Sequence, residues 1–153
     1  MYRPRFYKVV SGIGEADFAL LSFDNALRQA GIGDFNLVKV SSILPPSCEY
    51  RELLPICQGG ILYAAYSTIT VSGNDIGKTG VAVAIPMSDA ESGVIFEYSS
   101  LNDESDAGNM ALQMCEVAMK NRGKSFSSIK KLSQKVKSNG HTFATAISAV
   151  VMW

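Results

Sequence analysis

Residues 61–100 read ILYAAYSTITVSGNDIGKTGVAVAIPMSDAESGVIFEYSS, and this stretch decides the expected fold. It contains three apolar runs, at 61–71, 79–86 and 92–100, with two separators rich in turn residues between them. The length and β-branched content of the runs are typical of β-strands, so we expect three consecutive strands in an antiparallel meander. The strands are nearly hydrophobic on both faces. A second sheet or a subunit must therefore cover the side that helices leave open.

The segment before this stretch predicts a strand, a helix and another strand. Residues 6–10 are apolar and β-prone, and Ser11-Gly12-Ile13-Gly14 would end them as a loop. Apolar residues recur at helical spacing between 16 and 30, which predicts an amphipathic helix. Its apolar stripe consists of Leu20, Phe23, Leu27 and Ala30. Residues 35–40 alternate as a strand does, and the prolines beyond them predict an irregular segment.

The segment after the stretch predicts a second helix and two final strands. Residues 102–121 have acidic side chains at the start and basic ones at the end, as a helix favours. Its apolar stripe consists of Ala107, Met110, Met114 and Val117. Residues 127–136 and 142–153 are the two strands, and Asn139-Gly140 between them is typical of a hairpin turn. Two helices with six or seven strands predict an α+β fold, a layered αββα-type sandwich of mainly antiparallel sheets.

Composition limits the classes of protein to which the chain can belong. With 153 residues, 47% of them hydrophobic, we expect one domain over 1–153 with a substantial core. The 14 basic and 14 acidic residues produce no overall field to attract nucleic acid or an anionic membrane. The longest apolar stretch is too short to span a bilayer, so a soluble cytoplasmic protein is expected. Three scattered cysteines and one histidine predict neither a disulfide framework nor a metal site.

Two motifs could carry chemistry. Gly12-Ile13-Gly14 lies between a strand and a helix, as a dinucleotide fingerprint does, but Asp17 stands where the third glycine belongs and would repel a pyrophosphate. The second motif is VKVSSILPP at 38–46, in which a strand pattern ends in two serines and two prolines. A serine hydroxyl can attack the carbonyl before it and convert the amide to an ester. β-Elimination and hydrolysis then cut the chain and leave a pyruvoyl group, a ketone that forms a Schiff base with an amine substrate.

The segment AGIGDFNLVKVSSILPP at 30–46 resembles the processing site of pyruvoyl-dependent arginine decarboxylases. The likeness extends to FDNAL at 23–27, VAVAIP at 81–86 and GVIFEY at 93–98, in the same order. The resemblance implies cleavage between Ser41 and Ser42 into a β chain, 1–41, and an α chain, 42–153. It implies that a covalent pyruvoyl group made from Ser42 serves as the cofactor, without a metal or pyridoxal phosphate. Trimers with active sites between subunits, often paired into dimers of trimers, are implied as well.

The resemblance also implies roles for three polar residues, each of which has an ordinary interpretation. Asn36 would lie beside the processing site, where an amide could stabilise the oxyanion, or it is simply a polar strand residue. Asp24 would bind the guanidinium of arginine, or it is a surface acid. Glu97 would donate a proton after carbon dioxide leaves, or it faces outward from its strand. Because Glu97 follows an apolar run, we expect desolvation to raise its pKa.

The expected function is therefore a self-processing decarboxylase that converts L-arginine to agmatine and carbon dioxide, a first step towards polyamines. Two alternatives stay open. The chain is a pyruvoyl decarboxylase for another amino acid, or a non-processed homologue that serves as an oligomeric binding or structural protein. Chain cleavage separates the last alternative from the other two.

Overall fold

The computed structural model describes residues 1–55 and 57–153, which form nine strands and two helices. In chain order these are β1 (Phe6–Ala16), α1 (Ala19–Gln29), β2 (Asn36–Lys39), β3 (Ile43–Leu44), β4 (Glu49–Tyr50), β5 (Ile61–Val71), β6 (Ile76–Pro86), β7 (Gly93–Leu101), α2 (Ala107–Asn121), β8 (Phe126–Lys137) and β9 (Phe143–Met152). No described helix is both long enough and apolar enough to cross a membrane.

The strands form two sheets that pack face to face. The first sheet has the order β2-β5-β9-β1-β4 and the second has the order β3-β7-β6-β8. Pairing is antiparallel except for β1 with β4 and β2 with β5. Helix α1 packs on the first sheet against β1 and β9, and α2 packs on the second against β6, β7 and β8. The predicted α+β sandwich of the αββα type is confirmed.

The central strands are apolar on both faces because each sheet has a helix on one side and the other sheet on the opposite side. Val81, Val83 and Ile95 of the second sheet meet Val150 and other residues of the first sheet in one buried cluster. Ala82 and Ala84 alternate with these valines and face α2 instead. The expectation that a second sheet covers the side away from the helices is met within one chain.

The predicted loop at 11–14 is wrong, because β1 continues through it to Ala16. A side chain at Gly12 would lie 2.3 Å from the Ala26 carbonyl oxygen of α1, and one at Gly14 would lie 2.4 Å from the Ala26 nitrogen. The two glycines therefore allow the helix to approach the strand closely. They do not end the strand.

The predicted meander is also wrong, because its first strand belongs to a different sheet from the other two. Strand β5 lies between β2 and β9 in the first sheet, whereas β6 and β7 pair in the second. The Asn139-Gly140 turn likewise joins β8 of the second sheet to β9 of the first, so these strands do not form a hairpin. Strands that are apolar on both faces can pack in either sheet, and their sequences do not specify which.

Both helices were predicted, but their starts and buried faces differ from the prediction. Helix α2 begins at Ala107, where the Asp106 carboxylate accepts a hydrogen bond from the Asn109 backbone N–H at 2.9 Å. In α1, Leu20 is 77% exposed and Ser22 is buried. The buried face of α2 consists mainly of small residues: Ala107, Gly108, Ala111, Cys115, Ala118 and Met119. Small residues bring the helices close to the sheets, and some larger apolar residues of the predicted stripes, such as Leu20 and Val117, are exposed.

Candidate active site

The Ser41–Ser42 bond lies where the chain passes from the first sheet to the second. Before it, the Val40 backbone N–H donates to the Ala64 carbonyl of β5 at 3.0 Å. After it, the Ser42 carbonyl accepts from the Ile95 N–H of β7 at 2.9 Å. Each side of the bond is thus fixed to a different sheet. The predicted strand at 35–40 is confirmed as β2.

The residues that flank the two serines are anchored in the core. Leu44 is 1% exposed in the cluster between the sheets, and Val40 packs against the same cluster. Strand β3 of the second sheet follows the serines for two residues, and it ends before Pro45. Ser41 is exposed and Ser42 is half-buried. The structure shows no hydrogen bond from either serine hydroxyl to another described residue.

Glu97 lies on the strand that holds Ser42. It is two residues beyond Ile95 on β7, so both side chains face the space between the sheets. Its Oε2 atom is buried and has no hydrogen-bond partner among the described residues. Desolvation raises the pKa of the Glu97 carboxyl, and the charge of Lys39 on β2 opposes that rise. The pKa shifts in the direction expected from the sequence.

Asn36 lies at the start of β2, and the structure does not bring its side chain to the serines. Its Nδ2 donates to the Gly59 carbonyl at 2.8 Å, and its backbone N–H donates to the Gly60 carbonyl at the same distance. These bonds hold the loop before β5 against the start of β2. Asn36 therefore fixes the strand that leads to Ser41.

Asp24 is separate from this group within one chain. It is exposed on α1, whose buried residues Ser22, Ala26 and Leu27 face the first sheet. The structure thus brings together Ser41, Ser42 and Glu97, through hydrogen bonds of the strands that carry them. It does not bring Asp24 to them.

Comparison with known proteins shows the family to which the chain belongs. The family model of pyruvoyl-dependent arginine decarboxylases matches residues 6–153. The chain belongs to this family. It is 34% identical to the pyruvoyl-dependent arginine decarboxylase of Methanopyrus kandleri, over 98% of this chain and 97% of the relative. Identity with the protein of that name from Pyrococcus furiosus is also 34%, over 98% and 96% of the two chains. For the one from Methanococcus vannielii it is 32%, over 94% and 89%.

The residues at the β2–β3 junction fit the pyruvoyl group after which the decarboxylase family is named. A pyruvoyl group made in the chain needs a serine with an accessible hydroxyl, and Ser42 is half-buried at the junction. The carboxyl of Glu97 lies on the strand that binds Ser42, and burial raises its pKa, which favours the protonated form that a proton donor needs. Among the described residues, no cluster of three or more acidic, cysteine or histidine side chains could hold a metal ion.

Lys39 acts electrostatically on Glu97, and the sequence pattern alone did not mark it as a candidate functional residue. Lys39 is on β2, the strand that precedes the serines. Its ammonium lies 4.6 Å from the centre of the Tyr66 ring of β5. It is the positive charge that acts on Glu97. A lysine at the end of an exposed strand is common, so only its effect on the pKa of Glu97 distinguishes Lys39 from other surface lysines.

Cys48 and Tyr7 lie near the junction but are not prepared for chemistry. Burial raises the pKa of the Cys48 thiol to about 11 and that of the Tyr7 hydroxyl to about 12. Both groups are therefore neutral at physiological pH. A thiol that stays protonated is a poor nucleophile, and we assign neither residue a role.

Proposed function

We propose that this chain cuts itself between Ser41 and Ser42. The products would be a β chain, 1–41, and an α chain, 42–153, that begins with a pyruvoyl group made from Ser42. Two features support the proposal: the bond is held between two sheets, and the hydroxyls on both sides of it lack other partners among the described residues. Family membership supports the same reaction.

We further propose that the processed protein decarboxylates L-arginine to agmatine and carbon dioxide. The pyruvoyl group would supply a ketone that condenses with the substrate amine and accepts the electrons released with carbon dioxide. Glu97 would then return a proton to the carbon that has lost its carboxylate. Its desolvated carboxyl is suited to this because it retains a proton at higher pH than an exposed glutamate does.

One observation carries the proposal. A buried carboxylate oxygen without a hydrogen-bond partner destabilises a fold, so a chain that keeps one invites a functional explanation. This oxygen lies two residues from Ile95, the residue that binds the Ser42 carbonyl. The location of Glu97 beside the proposed pyruvoyl residue gives that explanation.

Asp24 and Asn36 have supporting roles in the proposal. Asp24 would bind the guanidinium group of arginine. Because it is exposed on α1 and lies apart from Ser42 in its own chain, we propose that it acts on the site of a neighbouring subunit in a trimer. Asn36 would act during processing, by fixing β2 through its bond to Gly59.

The experiment for the activity is release of labelled carbon dioxide by the purified protein. Carboxyl-labelled arginine, ornithine, lysine, histidine and aspartate are compared, with Ser42→Ala as the matched control. Release from arginine alone supports the proposal. Release from another amino acid moves the substrate to that compound, and an intact chain that releases nothing supports a binding or structural homologue.

A second experiment tests the subunit arrangement. Ser42→Ala and Asp24→Asn chains are each inactive in the proposal. Refolding the two together should restore part of the activity, because some sites then combine an intact Ser42 with an intact Asp24 from a neighbour. If mixing restores nothing while each variant assembles normally, Asp24 serves the site of its own chain.

A further inference from the structure

The backbone at Ser42 forms a three-residue turn. The Ile43 backbone N–H donates a hydrogen bond to the Ser41 carbonyl oxygen at 2.8 Å, and Ser42 is the central residue. Ser42 has a negative φ, which makes this the inverse γ-turn that is common where strands end. The acceptor in this turn is the carbonyl of the bond that the proposed function breaks.

The turn is imposed by the two sheets. On one side, Val40 is bound to Ala64 of the first sheet. On the other, Ile95 of the second sheet binds the Ser42 carbonyl, and Ile43 pairs with Val94. The Ser41 carbonyl and the Ile43 N–H are therefore held together before any reaction begins. A donor that is already in position needs no reorganisation as charge develops.

The first step of self-cleavage places charge on this carbonyl oxygen. The Ser42 Oγ forms a bond to the Ser41 carbonyl carbon, and the π electrons move onto the Ser41 oxygen. When the carbonyl forms again, the bond from that carbon to the Ser42 nitrogen breaks. The proton of the hydroxyl goes to this nitrogen, so the amide becomes an ester of the same composition. The transient oxyanion is the atom that Ile43 N–H already faces.

We propose that the Ile43 backbone N–H is the oxyanion donor of self-processing. The inference rests on the proposed cleavage at Ser42. The sequence suggested the Asn36 amide as the group that stabilises the oxyanion. In the structure this amide donates to the Gly59 carbonyl instead. Among the described residues, Gly59 is the partner of the Asn36 amide, and the structure shows no hydrogen bond from this amide to the Ser41 carbonyl.

The test replaces one backbone N–H with an ester oxygen. Cell-free translation with a suppressor transfer RNA inserts the α-hydroxy analogue of isoleucine at position 43, and the side chain is unchanged. The matched control inserts the α-hydroxy analogue of valine at position 40, which removes the bond from Val40 N–H to Ala64. Cleavage is followed over time on a denaturing gel, and folding is followed by circular dichroism.

The proposal predicts that the ester at 43 slows cleavage about 10²-fold, as loss of one oxyanion donor does. The ester at 40 should cleave within a few-fold of the unmodified chain. Equal rates for the two esters overturn the role of Ile43 and leave the proposed function intact. If the unmodified chain is never cut, both fail, because there is then no cleavage for Ile43 to assist.

Hydrogen exchange gives a second test that needs no cleavage and no ester. In the uncleavable Ser42→Ala protein, the turn predicts that the Ile43 amide proton is protected from exchange. Ser41, whose N–H has no partner among the described residues, is the internal control. An Ile43 proton that exchanges as fast as that of Ser41 contradicts the turn and with it the proposal.

Discussion

The β2–β3 junction and the β8–β9 corner are two of the places where the chain passes between the sheets, and serines have different roles in these two. At the β8–β9 corner, the Ser138 hydroxyl donates to the Thr142 carbonyl at 2.5 Å and accepts from the Gly140 N–H at 3.1 Å. The Asn139 side chain accepts from the backbone N–H groups of His141 and Thr142. Polar side chains close this corner.

At the β2–β3 junction the main chain makes these bonds instead. Ala64, Ile95 and Ile43 supply the partners of the backbone. The hydroxyls of Ser41 and Ser42 are left without a partner among the described residues. A serine at a corner is therefore structural when its hydroxyl closes the turn, and available for chemistry when backbone groups do so.

The largest expected effect separates Ser42 from Ser138. Ser42→Ala should abolish cleavage, because no hydroxyl remains to attack the Ser41 carbonyl, while Ser138→Ala should cleave at the normal rate. Denaturing gels of both purified proteins check this. The comparison fails if Ser42→Ala is still cut at the same bond, or if Ser138→Ala is folded and stays intact.

The next effect concerns turnover. Glu97→Gln should be cleaved normally but release carbon dioxide from arginine about 10²-fold or more slowly, because an amide cannot donate the proton that a carboxylic acid donates. Glu116→Gln, an exposed change on α2, is the matched control. Full turnover by a cleaved Glu97→Gln protein would show that Glu97 is not the proton donor.

A smaller effect concerns stability at the two corners. Ser138 is 5% exposed, so its replacement by alanine removes two hydrogen bonds and leaves the Gly140 N–H and the Thr142 carbonyl without their partner. We expect a loss of about 1 kcal/mol, which lowers Tm by about 2–4 °C in a domain of this size. Ser41→Ala should leave Tm unchanged. Thermal unfolding that affects the two variants equally would remove the distinction between the corners.

The smallest effect is a displacement of the pH profile. The charge of Lys39 lowers the pKa of Glu97, so Lys39→Met should raise that pKa further. The protonated acid is the active form, and activity is lost as pH rises through its pKa. The alkaline side of the turnover profile should therefore move to higher pH in Lys39→Met and stay in place in Lys135→Met, an exposed change on β8. A move to lower pH would contradict the assignment.

The sequence predicted those features that depend on local pattern. Strand β2 alternates, α2 has a suitable charge distribution, and Glu97 is an acid at the end of an apolar run. An acid at the end of an apolar run can be recognised from the sequence, because burying a carboxylate costs free energy in either sheet. Ser42 was predicted from its neighbours along the chain and from the family resemblance.

Features that depend on tertiary packing could not be predicted. Strands β5 and β6 are both apolar on two faces, so nothing in either sequence assigns it to a sheet. Gly12 and Gly14 suggested a loop because glycine is common in turns. Their actual role depends on the packing of α1 against β1, which the residues around them do not reveal. The Ile43 N–H carries no sequence signal at all, since every residue except proline has a backbone N–H.

The intact mass of the purified, unmodified protein shows whether the bond between Ser41 and Ser42 is cut. We expect two species, residues 1–41 with a free carboxyl end and residues 42–153 with a pyruvoyl group in place of Ser42. Together they would differ from the full chain by one water gained and one ammonia lost. A single species with the mass of all 153 residues would show that the chain does not cut itself.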